Sequence, residues 1–86
     1  MPEFQIKFKR KTEKTIYKDI YAVRKRAYKI CQKNGWGTVC IVYRYMDYRT
    51  RYQIGKATAL GGDEVIWQFN DNARYRLYED GTIRKV

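Results

Sequence analysis

The chain has 86 residues, with 19 Lys and Arg against 9 Asp and Glu, no His, and a formal net charge of +10. That length suits one domain with a small core. The absence of His and Ser removes His-based triads, a histidine general base and a serine nucleophile. Cys31 and Cys40 lack metal-ligand spacing and sit in apolar surroundings, where buried free thiols are the default, although a bridge between them is possible.

The charge is uneven. Residues 1–33 hold 11 basic and 3 acidic side chains, residues 34–59 hold 4 and 1, and residues 60–86 hold 4 and 5. The positive field therefore belongs to the first two thirds of the chain, and a field of that sign attracts polyanions. The N-terminal stretch MPEFQIKFKRK has no apolar core of a secretory signal, and no apolar run approaches the roughly 20 residues of a spanning helix. The cytoplasm is the expected compartment, with no membrane partner and no cofactor.

In chain order, Phe4, Ile6 and Phe8 alternate with Gln5, Lys7 and Lys9, the period of a half-buried strand. Over residues 13–33 the period changes. Ile16, Ile20, Val23, Ala27 and Ile30 make one helical stripe, with Thr12 or Thr15 as the expected N-cap and Asn34-Gly35 as the stop. Lys18, Lys25 and Lys29 fall opposite the stripe, and Tyr17, Tyr21 and Tyr28 along its flank. Residues 38–46 read as a strand with Val39, Ile41, Tyr43 and Tyr45 on one side, taken to face the helix, and Cys40, Val42, Arg44 and Met46 on the other. Strands follow over 49–59, 64–69, 73–79 and 82–86, separated by Leu60-Gly61-Gly62-Asp63, Asn70-Asp71-Asn72 and Asp80-Gly81. A two-residue Asp80-Gly81 loop would pair Tyr78 with Ile83 and set Leu77 and Ile83 on opposite faces, so the sequence leaves that register open between a sheet covered on both sides and a bulge.

The expected fold is one α+β domain over residues 1–86, of order β-α-β-β-β-β: an antiparallel sheet of four or five strands after the helix, with the helix packed on one face. The other face is left to water, a ligand or a second copy. The oligomeric state is not fixed by the sequence.

The densest feature is the run Tyr43 to Tyr52, which holds four Tyr and three Arg. Alternation puts Arg44 outward, joined by Arg49 and Arg51 across the hairpin, by Lys7 and Lys9 of the first strand, and by Arg74 and Arg76, with Tyr48 and Tyr52 as aromatic partners. Guanidinium forks suit phosphates and aromatic faces suit unstacked bases. The expected function is nucleic-acid binding, DNA or RNA, with limited sequence specificity, since basic faces position without specifying. No recognition motif of a common nucleic-acid-binding module is present. One alternative is an accessory protein of the phage or plasmid type that docks on a host enzyme or nucleoprotein. Another is enzymatic. The chain is similar to small ribosome-dependent ribonuclease toxins, which work with Arg, Lys and Tyr and can dispense with His, in size, basicity and its terminal strand set. It departs from them in having one helix where two are common.

Overall fold

A computed structural model describes residues 2–86. One helix lies across a seven-stranded antiparallel sheet, an α+β fold as expected. The strands are β1 (Phe4–Phe8), β2 (Lys11–Thr12), β3 (Val39–Tyr45), β4 (Arg51–Ala59), β5 (Val65–Phe69), β6 (Arg74–Leu77) and β7 (Ile83–Lys85), in the spatial order β2-β1-β3-β4-β5-β6-β7. The helix α1 (Ile20–Asn34) packs on β1, β3, β4 and β5. It is not long and apolar enough to cross a membrane.

The helix begins at Ile20, seven residues after the start of the 13–33 segment in which the sequence shows a helical period. Lys9 and Arg10 form a tight turn, both in the left-handed region with φ of 52° and 65°. They fold the chain back so that Lys11 and Thr12 pair with Phe8 and Lys7. The returning chain stays against β1 as far as Tyr17, which exchanges backbone hydrogen bonds with Phe4 at 2.8 and 2.9 Å. Asp19 then caps α1, its carboxylate accepting from the Tyr21 N–H at 2.8 Å. Thr12 is thus a strand residue and no cap, and Ile16 and Lys18 lie outside the helix. Left-handed backbone without glycine costs about 1–2 kcal/mol per residue, so the Lys9-Arg10 turn is held by the pairing on either side of it.

The core is the seam between α1 and the sheet. Val23, Ala27 and Ile30 face Ile6, Cys40, Val42, Ala57 and Trp67, all buried. Cys31 and Cys40 are buried free thiols in this seam, and Cys31 Sγ donates to the Ala57 carbonyl at 3.7 Å. The side of β3 that meets the helix is the reverse of the expectation. Cys40 and Val42 are fully buried, paired with Phe8 and Ile6, whereas Val39, Ile41, Tyr43 and Tyr45 point the other way. The strand is apolar at both parities, so its own sequence does not decide. Its neighbours do: β1 offers Phe4, Ile6 and Phe8 on the helix side, and β4 offers Gly55, Ala57 and Ala59.

The C-terminal hairpin resolves its register with a bulge. Leu77 pairs with Ile83 on the helix side, Tyr78 N–H donates to Thr82 O, and Gly81 N–H donates to Tyr78 O. The loop is therefore the three residues 79–81, with Gly81 left-handed at φ 87°, the turn that absorbs one extra residue. A side chain at Gly81 would also strike the Tyr21 carbonyl. Buried Arg24 ties the same loop to α1: its Nε donates to Gly81 O at 2.8 Å, and its guanidinium lies 5.0 Å from the Tyr21 ring centre and 5.7 Å from that of Trp67. Burial lowers the Arg24 pKa below the ordinary arginine range, with the Tyr21 and Asp19 side chains opposing the shift.

Trp67 is fully buried beneath α1, and the space for its ring exists because Gly55 has no side chain. A Cβ there would fall 2.6 Å from Trp67 Cζ2 and 2.8 Å from the Gln68 carbonyl. Gly55→Ala is expected to destabilise the domain by about 1–3 kcal/mol, the usual cost of overpacking. In a thermal melt this lowers Tm by roughly 4–8 °C per kcal/mol for a chain of this size. A Gly55→Ala protein melting with the wild type would contradict this packing.

Candidate nucleic-acid interface

Directly paired residues in neighbouring strands share a face, so the register assigns the paired strand side chains, and a shift between Val42 and Tyr43 leaves Ile54 of β4 unpaired. The face away from α1 carries Lys7 on β1, Arg51 and Lys56 on β4, Arg74 and Arg76 on β6, and Arg84 on β7. One row runs Lys7, Ile41, Lys56, Gln68, Arg74 across five strands. The next runs Val39, Thr58, Ile66, Arg76, Arg84. Neighbouring strands are about 4.8 Å apart, so cations recur across this face at intervals of roughly 5–10 Å.

Aromatic rings lie among these cations. The Arg51 guanidinium rests 4.2 Å from the Tyr43 ring centre and donates to Gln5 Oε1 at 3.4 Å. Tyr45 Oη donates to the same oxygen at 2.6 Å. Tyr78 has Arg76 at 5.4 Å and Arg84 at 5.7 Å from its ring centre. These distances are within cation–π range. Ile66 is buried in the middle of this face yet stands outside the helix-side core.

The acidic residues are elsewhere. None of the nine lies in a strand or in α1. Asp19 caps the helix. Asp47 accepts from the Arg49 and Thr50 N–H groups, and Asp71 from the Ala73 N–H. Asp80 accepts from the Thr82 hydroxyl and N–H. The backbone N–H groups of Arg49 and Thr50 hold the Asp47 carboxyl below the usual range, and the Thr82 hydroxyl and N–H do the same for Asp80. Glu13 pairs with Arg26 at 2.9 Å and Glu3 with Lys18. Among the described residues these are the two ion pairs, so the cations of the open face have no carboxylate partner. Among the same residues no three His, Cys, Asp or Glu gather as a metal site.

The sequence-derived site is partly assembled. Lys7, Arg51, Arg74 and Arg76 share the open face. Lys9 does not: it sits in the β1–β2 turn, 5.3 Å from the Phe8 ring centre. Arg44 is on the helix side, paired with Phe4 and Tyr52, and both Arg44 and Tyr52 are exposed there. The cause is the reversed parity of β3. Arg49 and Tyr48 belong to the β3–β4 turn, with Arg49 5.1 Å from the Tyr48 ring centre. Sequence reasoning missed Lys56 and Arg84. It also set Tyr43 and Tyr45 against the helix. The small residues Gly55, Ala57 and Ala59 were a usable signal, because a parity of Gly and Ala marks the close-packed side and leaves Lys56 and Thr58 outward.

Comparison with known proteins finds no matching family model, no matching curated protein and no matching solved structure.

Arg76 and Arg84 are directly paired across β6 and β7. Like charges opposite each other destabilise a sheet, by an amount in the range of about 0.2–1 kcal/mol. The Tyr78 ring that both guanidinium groups approach offsets part of this repulsion. Arg84→Glu turns the pair into an attractive one, and it is expected to raise stability by up to about 1 kcal/mol at low salt, with a smaller gain at high salt. Urea titrations at two ionic strengths measure this. Because Arg84→Glu also removes the contact of Arg84 with Tyr78, the salt dependence is the decisive readout: a stability difference between variant and wild type that is the same at both ionic strengths would mean that the two guanidinium groups do not repel.

Proposed function

We propose that the chain is a nucleic-acid-binding domain that takes the phosphate backbone on its open sheet face with little sequence specificity, acting in the cytoplasm. The observation that carries this is the separation of charge. Six cations, Lys7, Arg51, Lys56, Arg74, Arg76 and Arg84, share one side of the sheet, and no strand holds a carboxylate. Unpaired guanidinium and ammonium groups at such intervals suit a polyanion. Tyr43 and Tyr78, each already carrying an arginine, offer ring faces within the same field. Backbone contacts of this kind fix position and carry no base readout, which accounts for limited specificity.

A second reading, docking on a host protein as an accessory factor, has one observation in its favour. Met46, Tyr48 and Tyr52 are exposed together at the β3–β4 turn, with Tyr48 83% exposed. Such a contact would be insensitive to nuclease and indifferent to the open-face cations.

The test is the salt dependence of oligonucleotide affinity. Each phosphate contact contributes a slope of about 0.9 log units per log unit of salt for a duplex and about 0.7 for a single strand. Arg76→Ala with Arg84→Ala is expected to flatten the slope by about 1.4–1.8. Lys25→Ala with Lys29→Ala, on the exposed side of α1, is expected to leave it unchanged. The opposite pattern would move the interface to the helix, and affinity without salt dependence would favour the protein-docking reading. Messenger RNA that stays intact on translating ribosomes in the presence of the protein separates a binder from a ribosome-dependent ribonuclease.

A further inference from the structure

Trp36 lies between α1 and β3 and is 82% exposed, in contrast to the fully buried Trp67. Its turn is firmly held. Gly35 N–H donates to Cys31 O at 2.9 Å, Gly37 N–H to Ala59 O at 3.0 Å, and Thr38 Oγ1 to Gly35 O at 2.7 Å. The indole is thus presented to water from a fixed backbone, and it takes no part in the core. It lines a cleft of about 420 Å³ together with Phe8, Lys9, Asn34, Thr38 and Val39. No carboxylate lines this cleft, and its one charged group is Lys9, which shares the left-handed β1–β2 turn with Arg10. Val39 belongs to the open face whereas Phe8 and Asn34 stand on the helix side, so the cleft lies at the sheet end where the two faces meet.

We infer that this corner is a stacking site for an unpaired base, which makes single-stranded nucleic acid the preferred ligand. The inference rests on the nucleic-acid reading of the open face and adds a site and a ligand class to it. The chemistry divides within the cleft. The C-terminal end of α1, at Asn34, carries the negative end of the helix dipole and repels phosphate, whereas a base is uncharged and has a π-face for the indole. The phosphate that follows the base meets Lys9, the one cation that lines the cleft. A base in a duplex is stacked on both sides and does not reach Trp36, so this contact is reserved for strands whose bases are free.

The two tryptophans make the test selective, because Trp36 is open to solvent and Trp67 is closed to it. Oligothymidylate is expected to quench the exposed component of the emission. In Trp36→Phe, where only Trp67 emits, it is expected to leave the emission unchanged while binding persists through the phenyl ring. Trp36→Ala should lower affinity for oligothymidylate roughly 5- to 150-fold, the equivalent of one stacked base, and leave both duplex affinity and the thermal midpoint unchanged. Arg76→Ala with Arg84→Ala should weaken both ligands. If the open-face pair weakens binding while Trp36→Ala does not and the emission is silent, the stacking site is overturned and the open face stands. If oligonucleotides of neither kind bind, both fall. A blue shift of Trp36 emission with anionic phospholipid vesicles, and none with oligothymidylate, would make the corner a membrane contact and overturn the inference.

Discussion

The close approach of α1 to the sheet depends on the stretch 55–59 of β4 presenting only Gly and Ala to the helix side. Gly55, Ala57 and Ala59 leave the room into which Trp67 and the helix settle, and at Gly55 even a methyl group would intrude on the indole. This steric requirement sets the parity of the strand. Strand pairing then transmits it sideways: Cys40 and Val42 must face the helix because they pair with Ala57 and Gly55, and Lys56 must face away because it lies between them. The same rule, passed through Trp67 and Val65 to Tyr75 and Leu77, turns Arg74, Arg76 and Arg84 to the open side. Packing on one face thereby gathers charge on the other.

The carboxylates complete that polarity. In a chain so rich in Lys and Arg, ion pairing is the usual way to limit self-repulsion. Here the Asp residues mostly cap the helix and close turns, where a carboxylate beside backbone N–H groups supports local structure. They are consequently absent from the sheet surface. Arg24, the one buried cation among the described residues, is held by a backbone carbonyl and two rings, and it joins the terminal hairpin to the helix. The repulsion left on the open face, most plainly between Arg76 and Arg84, is a stability cost that a polyanionic ligand would relieve.

Much of this fold is legible in the sequence wherever one signal acts alone. The alternation of Phe4, Ile6 and Phe8 marks β1, the stripe of Val23, Ala27 and Ile30 marks α1, and Gly-rich or Asn/Asp-rich tripeptides mark the turns. Ambiguity enters where two signals coexist. Val39 to Tyr45 is apolar on both sides, so only its partners decide which side is buried. Ile16 continues the helical stripe, but pairing of Tyr17 with Phe4 holds that segment extended and delays the helix to Asp19. Lys9 and Arg10 have no turn chemistry in their side chains, and their turn follows from the hairpin around them. The register of Leu77 against Ile83 depends on the left-handed Gly81, which a two-residue reading of Asp80-Gly81 omits. Lys7, Arg74 and Arg76 were recoverable because their strands alternate cleanly, whereas Arg51 reaches the open side only through the register shift of β4 opposite Val42 and Tyr43, and Arg44 was lost with the parity of β3.

The assignment of the open face as the binding surface is tested most directly by following the arginine side-chain Nε–Hε resonances while a short single-stranded oligonucleotide is added. Arg51, Arg74, Arg76 and Arg84 are expected to shift together in proportion to saturation, while Arg26, paired with Glu13 on the helix side, and Arg44 stay in place. Shifts confined to Arg26 and Arg44, or no shifts at a concentration where binding is measured by another method, would contradict it.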